Sequence, residues 1–442
     1  MFFSFRKERQ GVDSGIRYFA GVCVNSDCKR IEIALIGLQG SGSGAAVLLQ
    51  KHAFFDLNVE IANAFDSMKI HVKEDSGRSM QGCVLDSDSG SCDESASLSK
   101  AAVQKKSAQD LDADIPVDFF SGIFALREKL IPFLEGAVDS LFDGSGPSRD
   151  EIMMISFFGP DFLYQTPFGM RSIDLFDARR LAERTGLNIL SAFSDKDLLA
   201  GGSGNDLLAF PYWIYLNRPD EDQLLLDLGQ TARWTLIGGP MQTPVSRTIA
   251  PCGSLLDPLV LQASRGKSSM DLGGRLSVMG RKIPDLIQSW HQIADSCSGK
   301  NAALPLPFLS SLFASELVRT KNPEDILCSA VHWIAERIAL QADRDFSKKG
   351  KILLTGGGKA NGLLYTALMK DLLPREIVPI EDLGFPADSF DAMAAAMLGV
   401  LFFYRIALPS DRNCPRPVPG SLEFGSDSHR DLLIRGMNAG MN

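Results

Sequence analysis

The sequence predicts an α/β protein made of two similar halves with a cleft between them. Three observations point to this. Two strands joined by a short polar turn occur twice, at 17–37 and at 222–237. The runs Ile152–Phe158 (IMMISFF) and Lys351–Thr355 (KILLT) are continuously apolar, as strands are when helices cover both faces of their sheet. Stretches with apolar residues at helical spacing follow such strands.

Residues 17–24 (RYFAGVCV) and 31–37 (IEIALIG) read as the first strand pair, and 45–56 as a third strand. Residues 73–114 lack aromatics and isoleucine and are crowded with Ser, Asp and Glu. Such a segment buries too little apolar area to offset chain ordering, so it reads as a disordered insertion. From Val117 the pattern turns helical, with Pro132 as a kink and Gly144 and Gly146-Pro147 as the stop. A strand at 152–158, a helix at 175–186 closed by Gly186 and a strand at 187–190 follow. Asp222–Leu228 and Ala232–Ile237 form the second strand pair. Helices are expected at 282–298 and from Asn322-Pro323, where Asn suits the N-cap and Pro the first helical position. The strand at 351–355 runs into Gly356-Gly357-Gly358, a helix at 361–373, a strand at 376–380 and an apolar helix at 388–405. The tail from Pro409 reads as a surface wrap. The expected lobes are 1–150 plus 389–442, and 151–388.

Composition narrows the function. With 45 Lys+Arg against 54 Asp+Glu the net charge is −9, which argues against a nucleic-acid or anionic-membrane binder. The apolar run Ala392–Tyr404 is too short to span a bilayer, and the N-terminus carries no secretory signal. Eight cysteines contain no C-x-x-C pair, and five histidines have no paired spacing, so no metal site is expected. Free thiols suit a cytoplasmic protein.

Three stretches could carry chemistry. In KILLTGGGKAN, Gly356, Gly357 and Gly358 join a strand to a helix and present bare amides, either to a nucleotide or simply as a tight turn. The spacing of a P-loop is absent. In FSDKDLLAGGSGNDL, Asp197 precedes Gly201 and Gly202. A carboxylate beside such a loop can act as a general base, or can cap a turn. In DSFDA, Asp388 fits an N-cap and Asp391 the first helical turn, where it could also hold a substrate hydroxyl.

In this order these pieces resemble the anhydro-N-acetylmuramic acid kinase family, of the sugar kinase, Hsp70 and actin superfamily, from about residue 17 to 425. LAERTGLNIL (181–190) followed by Asp197 and GGSG resembles the family's A-E-x-T-G and D-x-x-x-G-G-Q-G-A-P-L. TGGGKANGLLYTAL (355–368) resembles G-G-G-x-x-N-x-x-L-M-x-x-L, and GFPADSFDAMAAAMLG (384–399) resembles G-x-x-x-D-x-x-E-A-x-A-F-A. Ile152–Gly159 stands where the family's strand ends in H-G-Q-T. The resemblance implies a two-lobed actin-like ATPase (ribonuclease H-like) fold. It also implies ATP- and Mg²⁺-dependent cleavage and phosphorylation of an anhydro amino sugar in peptidoglycan turnover. Asp197 would be the base that activates water. Asp391 would match the sugar-binding Glu, one methylene shorter, with Gly201 and Gly202 beside the sugar. Gly356, Gly357, Gly358 and Asn361 would contact the nucleotide. A homodimer stays open.

The phosphate turns depart from the family. S-G-T-S-x-D-G is replaced by Val24-Asn25-Ser26-Asp27-Cys28-Lys29-Arg30, which puts Lys29 at the Asp position. H-G-Q-T becomes Phe158-Gly159-Pro160-Asp161, and N-I-G-G-I-A-N becomes Asp227-Leu228-Gly229-Gln230-Thr231-Ala232-Arg233. D-T-G-P-G-N becomes Ala250-Pro251-Cys252-Gly253-Ser254. Phosphoryl transfer depends on positioning and charge neutralisation. Two readings therefore follow: a kinase with an altered anion site using Lys29, Arg30 or Arg233, or a pseudokinase that binds a sugar or a protein partner.

Overall fold

The computed structural model describes residues 4–6, 15–26, 28–40, 45–58, 60–65, 117–144, 146–166, 169–238, 244–297, 312, 321–409 and 416–439. The expected insertion at 73–114 lies outside them. The elements begin with β1 (Ser4–Arg6), β2 (Ile16–Val24), β3 (Arg30–Gln39), β4 (Ala46–Asp56), α1 (Val117–Ser140) and β5 (Ile152–Phe158). A hairpin of β6 (Asp161–Thr166) and β7 (Gly169–Asp174) leads to α2 (Ala178–Thr185), β8 (Ile189–Ser191), α3 (Phe193–Leu199) and α4 (Ala209–Leu216). The second half runs β9 (Gln223–Leu228), β10 (Thr231–Leu236), β11 (Val245–Pro251), α5 (Gly253–Ala263), α6 (Pro284–Cys297) and α7 (Pro323–Asp345). It continues with β12 (Lys351–Thr355), α8 (Gly362–Asp371) and β13 (Glu376–Pro379), and the chain then forms α9 (Phe390–Phe403), β14 (Ser421–Glu423) and α10 (Asp427–Ala439).

The two main sheets repeat one plan. The first is ordered β1-β4-β3-β2-β5-β8-β14 and the second β11-β10-β9-β12-β13. In each, three antiparallel strands are followed by two that run parallel to the first: β2 with β5 and β8, and β9 with β12 and β13. This is the duplicated actin-like architecture expected from the sequence. The expected boundary at 150/151, however, cuts the first sheet, because β5 pairs in parallel with β2 and β8 with β5. Continuous apolarity showed that Ile152–Phe158 is buried, but not which sheet it joins. The second sheet is built wholly from residues 223–379.

Side-chain alternation along the strands sorts the core into layers. Ala20, Val22, Ile33 and Leu35 face α1 and α2. Phe19, Ala34 and Ile36 face the opposite way, and so does Leu225 of β9 and Leu353 of β12, so these residues share one core with α4 and α9. Leu224, Leu226, Ile352 and Leu354 point to the far side, against α5, α6, α7 and α8. Helix α9 is thus sandwiched between the two sheets, with twelve of its residues buried. It touches β2 directly: a Cβ on Gly21 would lie 1.9 Å from the Ala392 carbonyl oxygen and 2.6 Å from the Ala396 nitrogen.

Local expectations hold with two corrections. Gly186 closes α2 in the left-handed region at φ 72°. Asp388, however, is not the cap of α9. Ser389 occupies that position, and Asp388 sits in the preceding 3₁₀ turn and pairs with Arg30 at 3.3 Å. The tail does not simply wrap the surface. Residues 421–423 form β14 against β8, and residues 427–439 form α10, whose Leu433 and His429 are buried.

Gly21→Ala is expected to push α9 off β2 and to cost at least about 1–3 kcal/mol of overpacking, read from urea unfolding. Gly136→Ala, in α1 with nothing near its Cβ, is the matched control and should stabilise by about 1 kcal/mol through helix propensity.

Candidate functional site

The two hairpins place equivalent cross-strand pairs next to their turns. In the first, Cys23 on β2 stands opposite Glu32 on β3. In the second, Asp227 on β9 stands opposite Arg233 on β10. Asp391, in the first turn of α9, couples electrostatically to all four. Tyr212 of α4 donates its hydroxyl to Asp391 Oδ1 at 2.6 Å, and its ring stacks on Phe390 with centroids 5.2 Å apart. An acidic cluster bridging both lobes results.

Burial dominates the electrostatics, because a desolvated carboxylate disfavours its charged form. Burial first, and then the neighbouring Asp391 charge, push the Asp227 carboxyl up to about 7 against the opposing Arg233. Burial likewise raises Asp391, with the Tyr212 hydrogen bond and Arg233 opposing. It raises Glu32 well above the usual carboxylate range, reinforced by Asp391 and opposed by Arg30. Burial thus moves all three carboxyls toward their protonated forms, at a place where residues of both lobes meet.

The turns beside this cluster are internally satisfied. In the first, the Lys29 and Arg30 amides donate to Asn25 Oδ1 at 3.0 and 2.9 Å, and the Cys28 amide donates to the Asn25 carbonyl. Lys29 Nζ reaches across to Asp257 Oδ2 on α5 at 3.7 Å, and Gln230 of the second turn donates to the same oxygen at 3.3 Å. Arg30 lies over the Phe54 ring at 4.2 Å and pairs with Asp56 and Asp388. Arg233 faces Asp206 at 3.8 Å. The three basic residues offered by the sequence as an anion site each have a carboxylate partner.

The glycine loop after β12 packs against the second hairpin. Gly356, at φ 88°, leaves no room for a side chain, since a Cβ would lie 2.5 Å from Asp227 Oδ1. A Cβ on Gly358 would lie 2.9 Å from the Leu228 carbonyl oxygen, whereas Gly357 has open space before it. The loop therefore reaches the acidic cluster, and Gly357 is the glycine with room in front for a ligand. Asn361 is held by the fold. Its Oδ1 accepts from the Leu363 and Leu364 amides as the cap of α8, and its Nδ2 donates to Asp271. The fold thus engages both ends of that side chain.

Asp197 lies in α3, 1% exposed. Its Oδ2 accepts from the Gly204 amide at 2.9 Å. A Cβ on Gly202 would lie 2.1 Å from Oδ2, so only glycine lets the loop close over the carboxylate. Gly201 takes φ 85° to make the turn. Arg416 Nε stands 3.2 Å from Oδ1 as an ion pair, yet Oδ1 has no aligned hydrogen bond to a described residue. The same loop reaches the acidic cluster through Asp206 and Arg233. The sequence-derived residues thus fall into two adjoining groups, Asp197 with Gly201 and Gly202, and Asp391 with the Gly356–Gly358 loop.

The family model for anhydro-N-acetylmuramic acid kinase matches residues 123–417, which include both groups. The chain belongs to the anhydro-N-acetylmuramic acid kinase family. Among similar proteins, the anhydro-N-acetylmuramic acid kinase of Zymomonas mobilis is 24% identical over 289 residues, covering 64% of this chain and 76% of that one. That of Streptomyces coelicolor is 26% identical over 266 residues, covering 59% and 63%. The chain thus spans a little under two thirds of the Streptomyces relative and about three quarters of the Zymomonas one. Among solved structures, component A of the (R)-2-hydroxyglutaryl-CoA dehydratase of Acidaminococcus fermentans aligns with a TM-score of 0.39 at 14% identity, over 86% of this chain and 96% of that one.

Glu32 and Tyr212 were not singled out from sequence, and Asp227 was noted only as the residue replacing the first Asn of N-I-G-G-I-A-N. The available signal was a lone carboxylate in each of two otherwise apolar strands, RIEIALIGLQ and QLLLDL.

Two outcomes test the cluster. Because the Asp227 carboxyl is raised, the folded state binds its proton more tightly than the unfolded chain. The associated stability is present in acid and is lost as pH climbs from about 4, the ordinary carboxylate value, through about 7. The melting temperature of Asp227→Asn relative to the parent should therefore rise between about pH 5 and about pH 8, and a flat difference would show that Asp227 holds no such proton. Tyr212→Phe removes the donor to Asp391 and should cost about 1 kcal/mol in urea unfolding.

Proposed function

We propose that this family member phosphorylates and opens an anhydro amino sugar at the junction of the two lobes. Asp197 is the base that activates water, with Gly201 and Gly202 beside the sugar, and Asp391, held by Tyr212, binds a sugar hydroxyl. One observation carries the proposal. The Asp197 carboxylate is buried and fixed through Oδ2, while its Oδ1 is paired with Arg416 without an aligned hydrogen bond from a described residue. A general base needs such an oxygen within reach of the proton it takes.

ATP is the phosphoryl source in this reading, with Gly357 the glycine of the loop that has open space beside it and Gly356 and Gly358 letting that loop lie on the second hairpin. Among the described residues no three potential ligands converge to hold a metal. Nucleotide-bound Mg²⁺ typically uses one or two carboxylates together with phosphates and water, and the hairpins supply Glu32 and Asp227 for that role. The metal would neutralise phosphate charge when bound. Cys23, Cys252 and Cys328 are buried thiols, and among the described residues no helix is long and apolar enough to cross a membrane. A cytoplasmic location belongs to the same proposal, supported by those thiols.

The second reading, a homologue that binds without phosphorylating, is favoured by the first turn, whose amides donate inward and whose Lys29 is paired with Asp257. A coupled assay of ADP release with anhydro-N-acetylmuramic acid, ATP and Mg²⁺ separates the two. The kinase reading expects turnover, with Asp197→Asn lowering it by about 10²–10⁴-fold. Absence of turnover together with absence of ATP binding heat in calorimetry would overturn it.

A further inference from the structure

Arg416 comes from a part of the chain far from Asp197 in sequence, yet the fold fixes it there. Residues 416–420 lead into β14, and β14 pairs antiparallel with β8: Ser421 with Ser191, Leu422 with Leu190 and Glu423 with Ile189. β8 runs directly into α3, which carries Asp197. Gly420, at φ 78°, lies so close to α3 that a Cβ would sit 2.8 Å from the Phe193 ring. The backbone of the 416–420 segment is therefore tied to the helix that bears the base.

The guanidinium bridges two parts of the base's surroundings. Nε stands 3.2 Å from Asp197 Oδ1, and one terminal nitrogen donates to the Asn205 carbonyl at 3.3 Å, in the loop that covers the carboxylate. The pair is largely withdrawn from water, with the Arg416 side chain 20% exposed and that of Asp197 2%. A charge removed from water needs a countercharge. Here the countercharge is given off-axis. It compensates Asp197 without an aligned hydrogen bond to Oδ1, a buried oxygen. The opposite oxygen is the one the backbone holds, through Gly204.

We propose that Arg416 is a positioning residue for Asp197: it aims the buried carboxylate, ties the 201–205 loop to it, and holds Oδ1 without an aligned hydrogen bond so that this oxygen can take the proton of the group that Asp197 deprotonates. The proposal rests on the reading of Asp197 as the base. Arg416 is expected to act on the chemical step and not on sugar affinity.

The test is steady-state kinetics of the full chain with anhydro-N-acetylmuramic acid, ATP and Mg²⁺. Arg416→Met should lower kcat by about 10²-fold, the scale of a misplaced catalytic group, with little change in the sugar KM. Arg416→Lys keeps the charge but not the planar fork and should recover part of the loss. Added guanidinium ion should speed Arg416→Ala in proportion to its concentration and leave Asp197→Asn unaffected. If the Met and Ala variants do not melt cooperatively, Arg416→Lys decides, by a kcat below the parent's at an unchanged melting temperature. A folded Arg416→Met or Arg416→Lys with the parent's kcat, or a loss confined to KM, overturns the positioning role while a dead Asp197→Asn leaves the base reading standing. An active Asp197→Asn overturns the base reading and the positioning role with it.

Discussion

A helix backbone laid directly on a strand backbone is the constraint on which the molecule turns. Where α9 crosses β2, the absent side chain of Gly21 lets the Ala392 carbonyl approach to a distance no other residue would permit. That contact sets the depth of α9 between the sheets. It therefore sets where Asp391, one residue before Ala392, meets the two hairpins. The alanine-rich run Ala392–Ala396 serves the same end, because small side chains let a helix sit close to both layers. A helix buried along nearly all its length needs no amphipathic stripe, and this one has polar side-chain atoms only at its N-terminal edge, where they face the cluster.

The duplicated plan explains the chemistry at the junction. Each sheet delivers one hairpin, and each hairpin delivers a cross-strand pair at the same distance from its turn, Cys23 with Glu32 and Asp227 with Arg233. The pairs are equivalent in backbone but not in charge. Desolvation then acts on three carboxylates at once, and the guanidiniums of Arg30 and Arg233 offset only part of it. Carboxyls whose ionisation is shifted by burial and neighbouring charge are common where function demands them.

Much of the fold was legible because it rests on local patterns. The two hairpins, the continuous strands and the capped helices announce themselves through alternation, apolar runs and Gly or Asn at helix ends. Other elements did not. Helix α4, AFPYWIYL, is apolar all round with Pro211 inside, and its helical state comes from burial between the sheets. Strand β11, VSRTIAP, mixes Ser, Arg and Thr into its run, and pairing with β10 decides it. Within the site, Asp197 was visible because a carboxylate before paired glycines is a local signature. Glu32 and Asp227 were not, since their meeting depends on two hairpins some two hundred residues apart being brought face to face. Asn361 was noticed by its place after the glycines, whereas its capping of α8 and its hydrogen bond to Asp271 depend on the tertiary structure.

The path of the chain through the first sheet also bears on how the protein assembles. Strands from both sides of the 223–379 segment make up that sheet, with β14 as its final member next to β8, whereas the second sheet is drawn from one continuous stretch. During synthesis on the ribosome, the second lobe has all its strands before the first does. The first must wait with an open edge at β8 until residues 421–423 emerge. That edge, Ile189–Ser191, is the place where a nascent chain of this protein is most exposed to pairing with a neighbour, and where a chaperone has something to protect.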